Sequence, residues 1–210
     1  MPDPMAPGAT AGDRFVVTVV CTANVCRSPA LTMLLREGLA RTASRDRVLV
    51  GDAGTRARDG EPGCTEIAAR GGWDPLAMRA HRSRGVTREL VAASDLILTV
   101  SARERSAIAQ LDPSARTRTF TVLEAIRLDG LSADLDAEPA GRRVRPESRI
   151  FRLPARLHAA RSRPLSVEAT TDDDIPDAHS SRTRHLEVAR RISAAAAELT
   201  TVLARAAVRP

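Results

Sequence analysis

The chain has 210 residues and a formal net charge of +6, with 43% hydrophobic but only 2% aromatic residues. All 32 basic residues are arginine, and they are interspersed with 26 acidic ones. This composition supports a core filled by Val, Leu, Ile and Ala. The basic balance reads as an arginine-biased surface, so no nucleic-acid partner is expected. No run approaches the ~20 apolar residues of a membrane span, and no membrane association is expected.

The opening MPDPMAPGATAGD is rich in Pro, Gly and Ala, has no apolar centre, and reads as a disordered tail over residues 1–13 rather than a signal peptide. The apolar run before Cys21 is too short for a lipoprotein signal, and Val20 is not the small residue such cleavage needs. A cytoplasmic protein is expected. Its odd count of 3 cysteines is poor material for a secreted disulfide framework.

Phe15–Val20 is a continuous β-branched run, the pattern of a strand buried on both faces. Pro29 then suits a first helical turn, and Leu31, Leu34, Leu35 and Leu39 follow at helical spacing. Val48–Val50 predicts a second strand, followed by a turn over Gly51 to Thr55. Thr65–Arg70 predicts a short helix ended by Gly71 and Gly72. Thr87 caps a predicted helix through Ala92, and Leu96–Val100 is a third buried strand. Ser101 and Glu104 have capping-box spacing for the next helix. Thr117–Val122 predicts a fourth strand, and Leu123–Leu128 starts a helix.

Periodicity is then lost in an irregular Arg/Pro-rich insertion at about 129–171, apart from a possible short element at Ile150–Leu157. After the acidic run Asp172 to Asp174, a last helix is predicted from about Arg182 to Ala207. Alternating strands and helices predict an α/β domain over 14–208, a parallel sheet covered on both faces. Ligands of such sheets bind at the carboxyl ends of strands, which is where Cys21 falls.

The stretch VVCTANVCRSPAL carries the chemistry. With about one residue in seven an arginine, Cys21-x5-Arg27 spacing alone arises readily by chance, and Cys64 and Arg70 repeat it. Context separates the two. Cys64 opens a predicted helix, whose amides are committed along its axis. Cys21 lies between strand and helix, where the backbone is free to curl around an oxyanion and a helix N-terminus adds positive potential.

A nucleophilic cysteine must be a thiolate, which helix N-termini, inward amides and arginine favour. Arg27 offers a planar fork for two phosphate oxygens. Amides of Thr22, Ala23, Asn24, Val25 and Cys26 can bind the others as a nest. Ser28 can donate its hydroxyl to sulfur. Asn24 suits a left-handed backbone position.

With these residues in place, the sequence resembles the low-molecular-weight protein tyrosine phosphatases of bacterial type. Besides VVCTANVCRSPAL, the resemblance rests on DAGT at 52–55, HRSRGVT at 81–87, SDLILTV at 94–100 and IPD at 175–177. It implies a three-layer fold, a four-stranded parallel sheet flanked by helices (flavodoxin-like, phosphotyrosine phosphatase I type). It implies attack by Cys21 on a phosphotyrosyl protein or small aryl phosphate, a cysteinyl-phosphate intermediate, and oxyanion binding by Arg27 and the loop amides. The general acid would be Asp177, with Asp172, Asp173 and Asp174 as possible stand-ins. No metal and no cofactor are implied, and a monomer or weak dimer is expected. Cys26 matches a second family cysteine that would allow a protective disulfide with Cys21, or merely pack.

Three departures stand out. Asp177-Ala178-His179 replaces the usual Asp-Pro-aromatic. Ala57, between Arg56 and Arg58, and His179 fall at the expected pocket wall, which implies a wider, more basic entrance. Asp52 adds a carboxylate near the loop that could oppose thiolate formation. Alternative readings are a catalytically weak phosphate-binding or regulatory module, and a thiol-dependent arsenate reductase, for which Cys64 is the sole downstream cysteine. A zinc site on Cys21 and Cys26 lacks a matching second pair in the sequence.

Overall fold

The computed structural model describes residues 14–132, 147–162, 173–180 and 182–207. The expected tail at 1–13 lies outside the described residues. Four strands, β1 (Phe15–Cys21), β2 (Val48–Gly54), β3 (Leu96–Thr99) and β4 (Thr119–Thr121), form one sheet in the order β2-β1-β3-β4. All pairings are parallel. The two-face burial inferred from the apolar runs is visible residue by residue. Phe15, Val17, Val19 and Cys21 of β1 face the larger core, and Val20 faces the smaller one. In β3, Leu96 and Leu98 face the larger core and Ile97 the smaller. This is the period-two consequence of a strand covered on both sides.

Helices α1 (Arg27–Ala40), α2 (Thr65–Gly71), α3 (Pro75–Ala80), α4 (Arg88–Ala92), α5 (Ala102–Leu111) and α6 (Val122–Leu131) follow the strands in turn. The last helix, α9 (Arg182–Ala207), lies against α1 and α2. Its Val188, Ala189, Ile192, Leu199 and Leu203 enter the larger core. The smaller core is closed by Val91 of α4, Ile108 of α5 and Ala115. Among the described residues, no helix is long and apolar enough to cross a membrane.

Several boundaries differ from those predicted. The stretch read as a turn at Gly51 to Gly54 continues β2, because it stays in register with β1 as far as Cys21↔Gly54. Helix α3 was not anticipated, although the Asp74 carboxylate caps it by accepting from Leu76 N at 2.8 Å, with Pro75 at its first position. The strand expected over Thr117–Val122 shrinks to β4. Pro113–Arg118 forms a 3-10 turn capped by Asp112, and Val122 already begins α6.

The expected capping box at Ser101 and Glu104 does not form: Ser101 makes no side-chain cap to the α5 backbone, and its hydroxyl donates to the Glu104 carboxylate instead. The capping box that does form is on α6, between Thr121 and Glu124. Within the stretch read as an irregular insertion lie α7 (Glu147–Phe151) and α8 (Leu153–Ala160). Their Ile150, Leu153, Leu157 and Ala160 join the larger core.

Much of the arginine surplus is bonded internally. Arg127 pairs with Asp173 at 2.6 Å, and Arg156 and Arg205 share Asp129 at 2.6 and 2.5 Å. Arg105 and Arg161 meet at Glu124, at 2.7 and 2.9 Å, and the Arg161 guanidinium stacks over Phe120. Burial pushes the Glu124 carboxyl up, but Arg161, the Thr121 amide and Arg105 together pull it below its ordinary 4.5.

A carboxyl lowered in the folded state stabilises it fully above its unfolded value. That contribution is lost as pH falls through the lower folded value. Glu124→Gln should therefore cost about 2 kcal/mol at neutral pH in urea unfolding, since it leaves two half-exposed arginines without their anion. The gap from wild type should close in the acid range below 4.5. A gap that persists unchanged at acid pH would mean that packing, not charge, is what Glu124 contributes.

Candidate active site

The carboxyl end of β1 turns directly into α1 through Thr22 to Cys26. Asn24 is the one non-glycine residue of positive φ among the described residues, at 56°. That left-handed step points its amide inward, and Asn24 N donates to Cys21 Sγ at 3.2 Å. Ser28 Oγ lies 3.0 Å from the same sulfur. An inward amide and a hydroxyl thus converge on a sulfur that is only 2% exposed.

The Asn24 side chain is fully used to hold the loop. Its Nδ2 donates to Ser28 Oγ at 3.0 Å and to Asp52 Oδ1 at 2.8 Å, while Oδ1 accepts from Arg84 N at 2.9 Å. Asp52 is therefore an anchor for Asn24, with His81 Nδ1 3.8 Å away, and its carboxylate is turned to these partners. His81 Nε2 lies 2.8 Å from the Asn24 carbonyl oxygen. His81 and Arg84 belong to the HRSRG segment, to which sequence reasoning gave no role. Their contribution depends on a crossing between distant segments that no local pattern reveals.

Gly54 explains why β2 can lie so close. A Cβ there would sit 2.6 Å from Thr22 O and 2.8 Å from Asn24 N. Beyond it, Thr55 N donates to Cys21 O at 2.9 Å and Arg56 N to Thr22 O at 2.8 Å. This backbone stitching places Ala57 beside the loop, half-buried between exposed Arg56 and Arg58.

Arg27 begins α1 and is 8% exposed. Its Nη1 donates to Ile175 O at 3.1 Å and its Nη2 to Thr22 Oγ1 at 3.3 Å. Thr22 Oγ1 in turn donates to Glu104 Oε1 at 2.7 Å. Glu104 is 2% exposed and unites the loop with α5, a role its capping-box spacing did not suggest.

Three aspartates of the acidic segment are described, and they diverge. Asp173 is held by Arg127, and Asp174 Oδ1 accepts from Ala102 N at 2.8 Å, capping α5. Asp172 lies outside the described residues. Asp177 Oδ2 stands 3.9 Å from Arg27 Nη2, with the side chain 62% exposed. Burial pushes its carboxyl up, but the His179 amide, Arg27 and His179 outweigh that and hold it below its ordinary value.

With Ala178 in place of a proline after Asp177, the segment is tied down at three points. Ile175 N donates to Val100 O at 2.8 Å, Ala178 is fully buried, and Asp177 Oδ1 accepts from His179 N at 3.1 Å. The loop thus brings together Cys21, Asn24, Arg27, Ser28 and Asp177.

Cys26 and His179 point elsewhere. The Cys26 sulfur lies within 4.8 Å of the Cys64 sulfur, and the His179 ring packs edge-on against His185 at 5.2 Å. The Cys64 thiol is pulled down to about 5, first by the neighbouring Cys26 thiol, and Cys26 is pushed up by Cys64 and by burial. The second Cys-x5-Arg match is spent within a helix: Arg70 Nε pairs with Glu66 at 2.8 Å.

Residues 16–150 match the family model described as low molecular weight phosphotyrosine protein phosphatase. The chain is 32% identical over 116 residues to the probable low molecular weight protein-tyrosine-phosphatase EpsP of Ralstonia nicotianae, covering 54% of this chain and 74% of that protein. It is 32% identical over 104 residues to the phosphatase Ptp of Acinetobacter johnsonii, covering 50% and 69% of the two chains. Among solved structures, Wzb of Vibrio vulnificus in complex with benzylphosphonate superposes with a TM-score of 0.59 at 21% identity, covering 90% of this chain and 99% of that one. The YwlE arginine phosphatase of Geobacillus stearothermophilus gives a TM-score of 0.60 at 19% identity, covering 90% and 92%. At these identities the structural likeness establishes the fold, a four-stranded parallel sheet with flanking helices.

Proposed function

This chain belongs to the low molecular weight phosphotyrosine protein phosphatase family of phosphoric monoester hydrolases, and on that premise we propose that it dephosphorylates phosphotyrosyl proteins or aryl phosphates through a phosphocysteine at Cys21. The observation that carries the reading is the convergence of thiol, guanidinium and carboxylate: Cys21 with Asn24 N and Ser28 Oγ at its sulfur, and Arg27 with Asp177 at 3.9 Å. The names of the Ralstonia and Acinetobacter relatives, and the benzylphosphonate bound to the Vibrio structure, support an aromatic phosphate as substrate.

In the first step the Cys21 sulfur forms a bond to phosphorus as the ester P–O bond breaks. Asp177 gives its proton to the departing phenolate oxygen. Arg27 and the loop amides hold the equatorial oxygens, in exchange for the Ile175 and Thr22 contacts that Arg27 now makes. In the second step the Asp177 carboxylate takes a proton from water as that oxygen attacks phosphorus. The S–P bond breaks, phosphate leaves, and the Ser28 hydroxyl receives the returning negative charge on sulfur.

Acid-quenching Asp177→Ala during turnover and mapping the phosphate by mass spectrometry tests the intermediate. The expected result is one phosphate on the peptide containing Cys21. Continued turnover with phosphate found only on another residue would remove Cys21 from the role of nucleophile.

A further inference from the structure

Behind the phosphate loop lies a second constellation that the proposed reaction does not use. Cys26 directly precedes α1, Cys64 directly precedes α2, His179 sits in the turn after Asp177, and His185 is in the first part of α9. One ligand atom from each of these four residues lies within 4.8 Å of the other three. The Cys64 Sγ and His185 Nε2 atoms are already 3.7 Å apart.

A tetrahedral zinc ion with bonds of about 2.3 Å to sulfur and 2.0–2.1 Å to nitrogen needs ligand atoms about 3.3–3.8 Å from one another. The Cys64–His185 edge meets that spacing, and the rest, at most 4.8 Å apart, must close by no more than about 1.5 Å. Two sulfurs and two imidazoles are the donor set that suits zinc among the divalent ions.

We propose that Cys26, Cys64, His179 and His185 form a tetrahedral zinc site that ties the turn after Asp177 to the start of α1. The surroundings meet the other demands of such a site. Cys26 and His185 are 4% and 8% exposed, which screens the ion from water, while exposed His179 leaves a route for its entry. Cys64 N donates to Val25 O at 2.7 Å, so the two cysteine-bearing segments are already joined by backbone. The four ligands come from segments 26, 64, 179 and 185, so no spacing motif announces them, and the sequence-based expectation of no metal could not have registered them. The ion would act on the structure: it would hold the Asp177 turn against the residue next to Arg27, without touching the reacting atoms.

The untagged full chain, freed of metal and kept reduced with a phosphine, is titrated with Zn²⁺ against a chromophoric chelator and, separately, with Co²⁺. One equivalent should bind, and Co²⁺ should give the thiolate charge-transfer and intense visible bands of a tetrahedral thiolate site. Cys21→Ser should bind as wild type does. His185→Gln should bind at least about 10-fold more weakly, and Cys64→Ser more weakly still. Zinc at a hundredfold excess over its Kd should raise the Tm of wild type by about 5–10 °C.

Binding that is lost in Cys21→Ser and unchanged in Cys64→Ser would overturn the proposal, because the active-site thiol would then be the ligand. So would the absence of the tetrahedral cobalt spectrum in wild type, or a Tm unmoved by zinc. Should Cys64→Ser fail to fold, the cobalt spectra of wild type, Cys21→Ser and His185→Gln decide the matter.

Discussion

Phosphate release from p-nitrophenyl phosphate is expected to fall at least about 10⁴-fold when Cys21 is replaced by serine. The hydroxyl would meet the same two groups, Asn24 N and Ser28 Oγ, that now lie 3.2 and 3.0 Å from the sulfur. An alcohol in that cradle stays protonated near neutral pH, where a thiol can ionise, and it is a poor nucleophile in that form. The amides and Arg27 would be untouched, so calorimetry should show the variant binding an aryl phosphonate within a few-fold of wild type. Wild-type turnover by Cys21→Ser would end the reading of Cys21 as nucleophile. Parallel loss of phosphonate binding would show that the substitution had collapsed the loop.

The next largest effect is expected at Asp177, and it should depend on the leaving group. Asp177→Ala should lower turnover of a phosphotyrosyl peptide by about 10²–10⁴-fold, the usual worth of a general acid. It should cost far less on p-nitrophenyl phosphate, whose leaving group needs little help from a proton. Asp174→Ala should leave that leaving-group sensitivity unchanged, since its carboxylate is engaged with Ala102 N at 2.8 Å. Equal losses in both variants would reopen the identity of the acid.

The pH profile carries a second signature. Asp177 is held below its ordinary value in the free protein, against the opposing push of burial. A general acid works in its protonated form. The rate on phosphotyrosine should therefore fall as pH rises from the acid side toward neutrality, and the negative charge of a bound phosphate should soften that fall by favouring the proton on Asp177. Asp177→Ala should lose this limb of the kcat profile. A wild-type limb that survives in Asp177→Ala belongs to another group.

What could be read along the chain depended on the range of the interactions involved. The runs Phe15–Val20 and Leu96–Val100 announced buried strands because both faces of a central strand demand apolar residues. The Cys21 loop was legible because all its parts fall within a few residues, and Asn24 shows the left-handed φ of 56° that its residue type suggested. β4 was overdrawn because Thr117 and Arg118 belong to a turn capped by Asp112. Glu104 was read locally, as a cap for α5, when its partners are Ser101 and Thr22, the latter 82 residues away. Asp52 accepts from Asn24 Nδ2 and so anchors the loop, which only the crossing of β2 behind the loop could show.

The sequence by itself determined the geometry of the Cys21 loop, because a strand, a tight loop and a helix N-terminus are consecutive pieces of chain whose course follows from local backbone preference. Only the tertiary structure decided which aspartate faces Arg27. Asp173, Asp174 and Asp177 differ little as a string, but they are sorted by what α6, α5 and the loop present to each of them. The same is true of Cys26, for which the sequence offered a disulfide with Cys21 or mere packing. Folding sets it instead beside Cys64, His179 and His185, because α1, α2 and α9 pack together and bring into one volume side chains that share no local pattern.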